Sequence, residues 1–164
     1  ELAGEAVRTA RRLGLGHVLV MALTRAAEAY VLLGRHDEAG AVLRESLEML
    51  RETGGQAWLA DSLELAALVG SEGQGDGPAR LLGKSRALRE ASGEMAEARL
   101  VHGELAGCER RVANALGTAA FDQEWRAGRA LSPAEALACA VRALPPSGPY
   151  GARRGPDARP RTAA

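Results

Sequence analysis

The stretch Met21–Arg51, MALTRAAEAYVLLGRHDEAGAVLRESLEMLR, indicates the fold more clearly than any other part of the chain. Its pattern predicts two helices joined by a short turn. Apolar residues recur every three or four positions on both sides of the turn, as in amphipathic helices. Gly34 is expected to end the first helix in the left-handed conformation, and Asp37 to cap the second. Small residues such as Ala27 and Ala39 stand where the helices must approach closely. Such a hairpin cannot bury its apolar face alone, so the sequence predicts stacking on similar units.

The helical spacing of apolar residues continues on both sides of this hairpin. Aromatic residues make up only 3% of the chain, and a core of alanine and leucine suits close-packed helices better than strands. Ser132–Glu135, SPAE, is a capping box with proline at the first helical position. We therefore predict an all-α protein of about eight helices, an α-solenoid of helical hairpins. The predicted helices lie at 1–13, 17–33, 37–53, 57–71, from 78 onwards, at 94–115, around 121–125 and at 133–144.

The last twenty residues, PPSGPYGARRGPDARPRTAA, differ from everything before them. Proline, glycine and arginine dominate this segment, and it offers almost nothing to bury, which is typical of disorder. The chain is therefore predicted to divide into a helical repeat domain at 1–144 and a disordered tail at 145–164. The tail carries four arginines against one aspartate. No aromatic side chains are interleaved with those arginines, which argues against direct nucleic-acid binding.

Residue patterns that carry chemistry in other proteins are weak here. Gly83–Ser85, GKS, resembles the end of a phosphate-binding loop, but Pro78 stands where that motif requires its first glycine. The three histidines show no metal-ligand spacing. The carboxylates have no nucleophile beside them and are assigned to the solvent-facing sides of amphipathic helices. They are Asp61, Glu64, Glu104 and Glu109. We therefore predict a protein that is not an enzyme and has no catalytic residue, no cofactor and no metal site.

Cysteine usage and hydropathy indicate the compartment. Cys108 and Cys139 lie far apart in predicted amphipathic helices, which indicates two structural thiols in a reducing environment. No apolar run approaches the ~20 residues that a membrane-spanning helix needs, and we expect no signal peptide. The sequence therefore predicts a cytoplasmic protein without a membrane partner.

Two of the few large rings, Phe121 and Trp125, are four residues apart and would lie on one face of a helix. An exposed recognition pair is one interpretation. The interpretation that we favour is an aromatic anchor in the core that joins the last two helices, because few other rings can fill that corner.

The first hairpin resembles a tetratricopeptide repeat at its small residue, tyrosine, turn glycine and second-helix alanine. The matching residues are Ala27, Tyr30, Gly34 and Ala39, and the corresponding positions in the next unit are Ala66, Val69, Gly73 and Pro78. The segment 77–83, GPARLLG, and the later stretch 121–136 together resemble the end of the tetratricopeptide-like region of large actinobacterial regulators. These are LuxR-type and AfsR-like transcriptional regulators and related STAND-class predicted ATPases. The resemblance covers about residues 18–144 and implies a scaffold or sensor attached to an NTPase module, with no catalytic residues.

If the array curves as solenoids do, its concave face is expected to bind a partner helix or an extended peptide. The residues predicted to line that face are Met21, Thr24, Glu28, Val31, Leu63 and Ala67. The alternative is that the C-terminal helices of the same chain cover this face. The predicted function is non-catalytic protein–protein interaction or signal sensing within a larger bacterial transcriptional regulator. A small-molecule effector site inside the superhelix is the alternative function.

The first predicted helix, 1–13, resembles the second helix of a hairpin. It should therefore present an apolar edge where a partner helix would pack. An exposed apolar edge favours association, so we also expect self-association through the N-terminal helix.

Overall fold

A computed structural model describes residues 2–54, 56, 58–71, 75–93 and 101–146, with the side chains of residues 2 and 3 excepted. Within these ranges the chain forms eight helices and no strand, which confirms the all-α class. The helices are α1 (Leu2–Arg12), α2 (Gly16–Leu32), α3 (His36–Thr53), α4 (Leu59–Gly70), α5 (Gly77–Ser92), α6 (His102–Leu116), α7 (Thr118–Arg129) and α8 (Pro133–Ala143). The helical start predicted at 94–100 and nearly all of the predicted tail lie outside the described residues.

The turn between α2 and α3 closes as the sequence predicts. Gly34 has φ of +67°, and its N–H donates to the carbonyl of Val31. The N–H of Arg35 donates to the carbonyl of Tyr30 at 2.8 Å, which completes the hydrogen-bond pattern of a Schellman motif. The prediction that Asp37 caps α3 is wrong, because Arg35 occupies the capping position and no side chain caps this end. Asp37 instead lies in the first turn, where its charge favours the helix dipole.

Helix α4 lies at the centre of the core. All its residues except Ala60 are buried, and α2, α3, α5, α6 and α8 pack around it. A helix enclosed in this way has no solvent-facing side, so its polar residues need partners inside the protein. The assignment of Asp61 and Glu64 to a solvent-facing side is therefore wrong. Glu104 is exposed as predicted, whereas Glu109 is half-buried.

Two glycines allow α5 and α7 to pack with their backbones in contact. A Cβ added at Gly83 of α5 would lie 2.2 Å from the carbonyl oxygen of Trp125. A Cβ added at Gly128 of α7 would lie 2.1 Å from the carbonyl oxygen of Arg80. The rings of Phe121 and Trp125 are 5.6 Å apart and are half-buried against the core. The expectation that this pair joins the last two helices is therefore corrected, since α7 packs chiefly on α5.

The capping box predicted at the start of α8 is present. The backbone N–H of Ser132 donates to the Glu135 carboxylate at 2.8 Å, and the N–H of Glu135 donates to the Ser132 hydroxyl at 3.3 Å. At the other end of α8, Arg44 of α3 donates to the carbonyl of Pro145 at 2.7 Å. Helix α8 thus packs against α3, α4 and α5.

Candidate interaction surface and buried charge cluster

Most of the residues predicted to line a concave groove lie in the interior. The buried residues are Thr24, Glu28, Val31, Leu63 and Ala67. They are buried because α2 packs against α3 and α4, and because α6 and α8 cover other sides of α4. Met21 alone reaches solvent, with 36% of its surface accessible. The structure therefore does not bring the six residues together at one surface.

A neighbouring stripe of α2 does face solvent. It consists of residues spaced by three or four positions, which places them on one side of the helix. Met21, Ala29 and Leu32 are exposed and Arg25 is half-buried; we call these four residues the α2 face. Leu32 has 45% of its surface accessible, although leucine is among the residue types that are most often fully buried. The face is therefore apolar except for the guanidinium at its middle.

A buried charge cluster lies beneath this face and joins three helices. Arg89 of α5 donates from Nε to Glu64 Oε1 at 2.6 Å and from Nη2 to Asp61 Oδ1 at 2.6 Å. Arg25 of α2 donates to Asp61 and also to Glu28. Arg89 and the three carboxylates are each less than 10% exposed. Because a buried charge is tolerated only when it is paired, this cluster fixes how α2, α4 and α5 sit together.

Arg25 is the member of the cluster that reaches the surface, with 41% of its side chain accessible. Its guanidinium carbon lies 4.9 Å from the centroid of the Trp58 ring, within the range of a cation–π contact. Trp58 directly precedes α4 and has φ of +69°, and it is the one non-glycine residue with positive φ in the described ranges. A bulky residue in this conformation costs roughly 1–2 kcal/mol, which the contact with Arg25 helps to offset. The pair therefore ties the start of α4 to the middle of the α2 face.

Three hydroxyls meet where α2, α3 and α4 come together. The Oγ1 atom of Thr24 donates to the carbonyl of Val20 at 2.9 Å. The same atom lies 3.1 Å from Ser46 Oγ and 3.4 Å from Ser62 Oγ. All three hydroxyl residues are fully buried. Since a buried polar group costs free energy unless it is hydrogen-bonded, the contact favours one register among the three helices.

The pKa values of Arg89, within the charge cluster, and of Glu109, beside it, are both raised above their ordinary values. Hydrogen bonding to Glu64 raises the pKa of Arg89 above its ordinary value, so this guanidinium stays charged. Burial raises the pKa of Glu109 on α6, the charge on Arg86 opposes that shift, and the charge on Glu64 adds to it. Glu109 is therefore the carboxyl near the cluster whose charged form the fold disfavours.

The weak chemical motifs have structural explanations. Gly83–Ser85 lies inside α5, and the Ser85 hydroxyl donates to the carbonyl of Leu82 at 3.0 Å, so this segment is not a phosphate-binding loop. Cys108 and Cys139 are buried free thiols, and burial raises the pKa of both, which disfavours the reactive thiolate. Among the residues that the structure describes, no group of three or more His, Cys, Asp or Glu side chains could hold a metal ion.

Across the described ranges, no helix combines the length and the hydrophobicity that crossing a bilayer requires. The chain matches no protein-family model, no curated protein and no solved structure. Its function is therefore inferred from its own residues and their geometry.

Proposed function

We propose that this chain is a non-catalytic protein-binding domain, the tetratricopeptide-like repeat region of a larger cytoplasmic bacterial transcriptional regulator. The observation that supports binding is the α2 face, where Met21, Ala29 and Leu32 are exposed on one side of a helix. Exposed apolar residues that share one face favour a protein partner. The repeat-like residues of the first hairpin and the segment 77–83 support the regulator family.

The α2 face suits a partner helix or an extended peptide with apolar side chains. Helix α2 has 17 residues and is therefore about 25 Å long, enough to contact several turns of a partner helix. Arg25 lies midway along the face, and its guanidinium is partly exposed. An acidic side chain of the partner opposite Arg25 would fix the register, since charge complementarity contributes specificity.

The α2 face is connected to the interior, which suggests how binding could act on an attached module. Arg25 belongs to both the α2 face and the buried charge cluster, where it contacts Asp61 of α4. A partner that draws Arg25 outward would weaken that contact and favour a different packing of α2 on α4. Because a ligand shifts an equilibrium only by its differential affinity for the two states, the partner must bind one packing more tightly.

The proposal is tested by using the domain as bait for the neighbouring NTPase and effector modules of its own regulator. Wild type is compared with the double variant Met21→Glu/Leu32→Glu, and Val141→Glu on α8 is the matched control because Val141 is also an exposed apolar residue. We expect the double variant to lose the captured protein while keeping its helical circular dichroism, and the control to retain it. Capture that is equal for all three proteins would overturn the role of the α2 face. A small molecule in the eluate without any protein would favour the effector-site alternative.

A further inference from the structure

The two arginines of the buried charge cluster differ in how firmly they are held. Asp61 accepts hydrogen bonds at both carboxylate oxygens, at Oδ1 from Arg89 at 2.6 Å and at Oδ2 from Arg25. Arg89 also donates to Glu64, and 6% of its side chain is accessible, compared with 41% for Arg25. Departure of Arg25 leaves Asp61 paired with Arg89, so no charge of α4 is stranded by it. Arg25 is therefore the member of the cluster that can be withdrawn.

Arg25 also contacts a residue whose backbone conformation large side chains avoid. Trp58 has φ of +69° and ψ of 0°, in the left-handed region, and its half-buried ring lies beneath the Arg25 guanidinium. Such a conformation crowds the Cβ of any residue except glycine, so it persists only where the surrounding structure holds it. The Trp58 carbonyl oxygen accepts from the N–H of Ser62, in the first turn of α4, at 2.9 Å. The contact with Arg25 therefore helps to hold the first turn of α4.

A carboxylate at the α2 face would compete for the same guanidinium. Arg25 lies between Met21 and Ala29, four residues away in either direction, and both of these residues are exposed. Side chains at this spacing on a helix are neighbours, so the exposed part of Arg25 is within reach of groups placed beside them. An arginine that pairs with a carboxylate outside the protein has to give up contacts with Asp61 and Trp58.

We propose that Arg25 and Trp58 form a conformational switch at the start of α4, which a carboxylate at the α2 face operates by drawing the Arg25 guanidinium outward. Trp58 then leaves the left-handed region, and its hydrogen bond with Ser62 breaks. Because α2, α3, α5, α6 and α8 all pack on α4, a change at its start reaches the rest of the fold. The inference rests on the proposed function for the source of the carboxylate, which is an acidic residue of the partner. It adds the residue through which binding is transmitted to the interior.

The first experiment supplies the carboxylate within the chain itself. Met21→Glu places it four residues before Arg25, the favoured order for an ion pair on a helix, and Met21→Gln is the matched control without charge. Hydrogen exchange of the Ser62 amide measures opening, because this N–H loses its acceptor when Trp58 moves. We expect Met21→Glu to exchange about twofold faster than Met21→Gln, the population change that one such pair supports. Equal exchange in these two variants would overturn the proposal.

The second experiment removes the guanidinium. Arg25→Met is expected to raise exchange of the Ser62 amide about fivefold, which corresponds to the loss of one cation–π contact. Arg35→Met is the matched control and should leave that amide unchanged. Arg35 likewise lies over a ring, 4.8 Å from the centroid of Tyr30, and pairs with Glu38 three residues further on, but it belongs to the turn between α2 and α3. Unchanged exchange in Arg25→Met would also overturn the proposal.

Trp58→Gly separates a switch from an ordinary stabilising contact. Glycine adopts the left-handed conformation without strain, so Arg25→Met should not raise exchange of the Ser62 amide in the Trp58→Gly background. An equal rise in both backgrounds would overturn the role of Trp58, because loss of the contact between Arg25 and Asp61 would then account for it.

These measurements need no partner, so they are separate from the capture test of the proposed function. Capture by a chain whose Ser62 amide does not respond would contradict the switch alone. A responsive amide in a chain that captures no protein would support the switch and contradict the proposed function.

Discussion

Gly83 of α5 lies directly against the backbone of Trp125 on α7, so that a Cβ at position 83 would be only 2.2 Å from the Trp125 carbonyl oxygen. The contact is reciprocal, since a Cβ at Gly128 would lie 2.1 Å from the carbonyl oxygen of Arg80. The crossing of α5 and α7 also positions the half-buried rings of Phe121 and Trp125 against the core. The glycine that gives GKS its likeness to a phosphate-binding loop therefore serves helix packing.

The first prediction is that Gly83→Ala destabilises the fold. Overpacking against backbone atoms costs typically about 1–3 kcal/mol, and this cost exceeds the roughly 1 kcal/mol that alanine contributes as a better helix former. Gly103→Ala on α6 is the control, since a Cβ there would have no neighbour within 4 Å. Urea denaturation should show a loss for Gly83→Ala and no loss for Gly103→Ala. Equal midpoints for wild type and Gly83→Ala would show that the two helices do not approach this closely.

The second prediction concerns the buried charge cluster. Replacing Arg89 by methionine leaves Asp61 and Glu64 buried without their arginine on α5, and removal of one partner from a buried ion pair typically costs about 3–5 kcal/mol. Most of that cost comes from the stranded carboxylates. Arg89→Met/Glu64→Leu should therefore be more stable than Arg89→Met alone, as measured by chemical denaturation.

Arg129→Met is the matched control for Arg89→Met. Arg129 pairs with Glu90 at 2.7 Å, but both side chains are largely exposed. An exposed ion pair contributes little to stability, so this variant should unfold close to wild type. Equal losses for the two arginine variants would contradict the burial of Arg89.

Where a local signal determined the structure, the sequence was sufficient to predict it. Gly34 and the SPAE box are examples, because a left-handed glycine and a capping box act within a few residues of the chain. Helices α2, α3 and α8 begin and end within one residue of their predicted boundaries, whereas α7 is longer at both ends than the short helix predicted around 121–125. The prediction for Asp37 failed within the same class of signal, since α3 begins at His36, two residues earlier than a cap at position 37 would allow.

The parts that could not be predicted depend on which helices meet. Helix α4 is apolar apart from Asp61, Ser62 and Glu64, and the sequence around it does not show that Arg89, 25 residues or more along the chain, reaches those carboxylates. The predicted groove was misplaced for the same reason. Its residues on α2 and α4 share a helix face, but only the packing of α2 on α4 reveals that this face is internal. The near-continuous apolar run of α4 was the available signal for an enclosed helix.

The third prediction is that Ser132→Ala destabilises α8 by about 1 kcal/mol, the typical cost of losing an N-cap side chain. The Ser132 hydroxyl accepts from the Glu135 N–H, and alanine leaves this donor without its side-chain acceptor. Ser132→Thr keeps the hydroxyl, which both accepts from the Glu135 N–H and donates to the Glu135 carboxylate, and is the control. Thermal unfolding should place Ser132→Thr close to wild type and above Ser132→Ala.

The last prediction concerns Glu109 and the pH dependence of stability. Burial raises the pKa of this carboxyl, the charge on Glu64 raises it further, and the charges on Arg86 and His102 oppose the shift. Between the ordinary value of 4.5 and the higher folded value, the folded state binds more protons at this site than the unfolded state. The contribution of Glu109 to the free energy of unfolding therefore falls as the pH rises through that window.

Glu109→Gln removes the penalty, so the variant should be more stable than wild type at neutral pH, and this advantage should disappear below pH 4.5. Urea titrations of both proteins at several pH values measure the difference. A difference that is independent of pH, or one that grows as the pH falls, would contradict the burial of Glu109 beside the charge cluster.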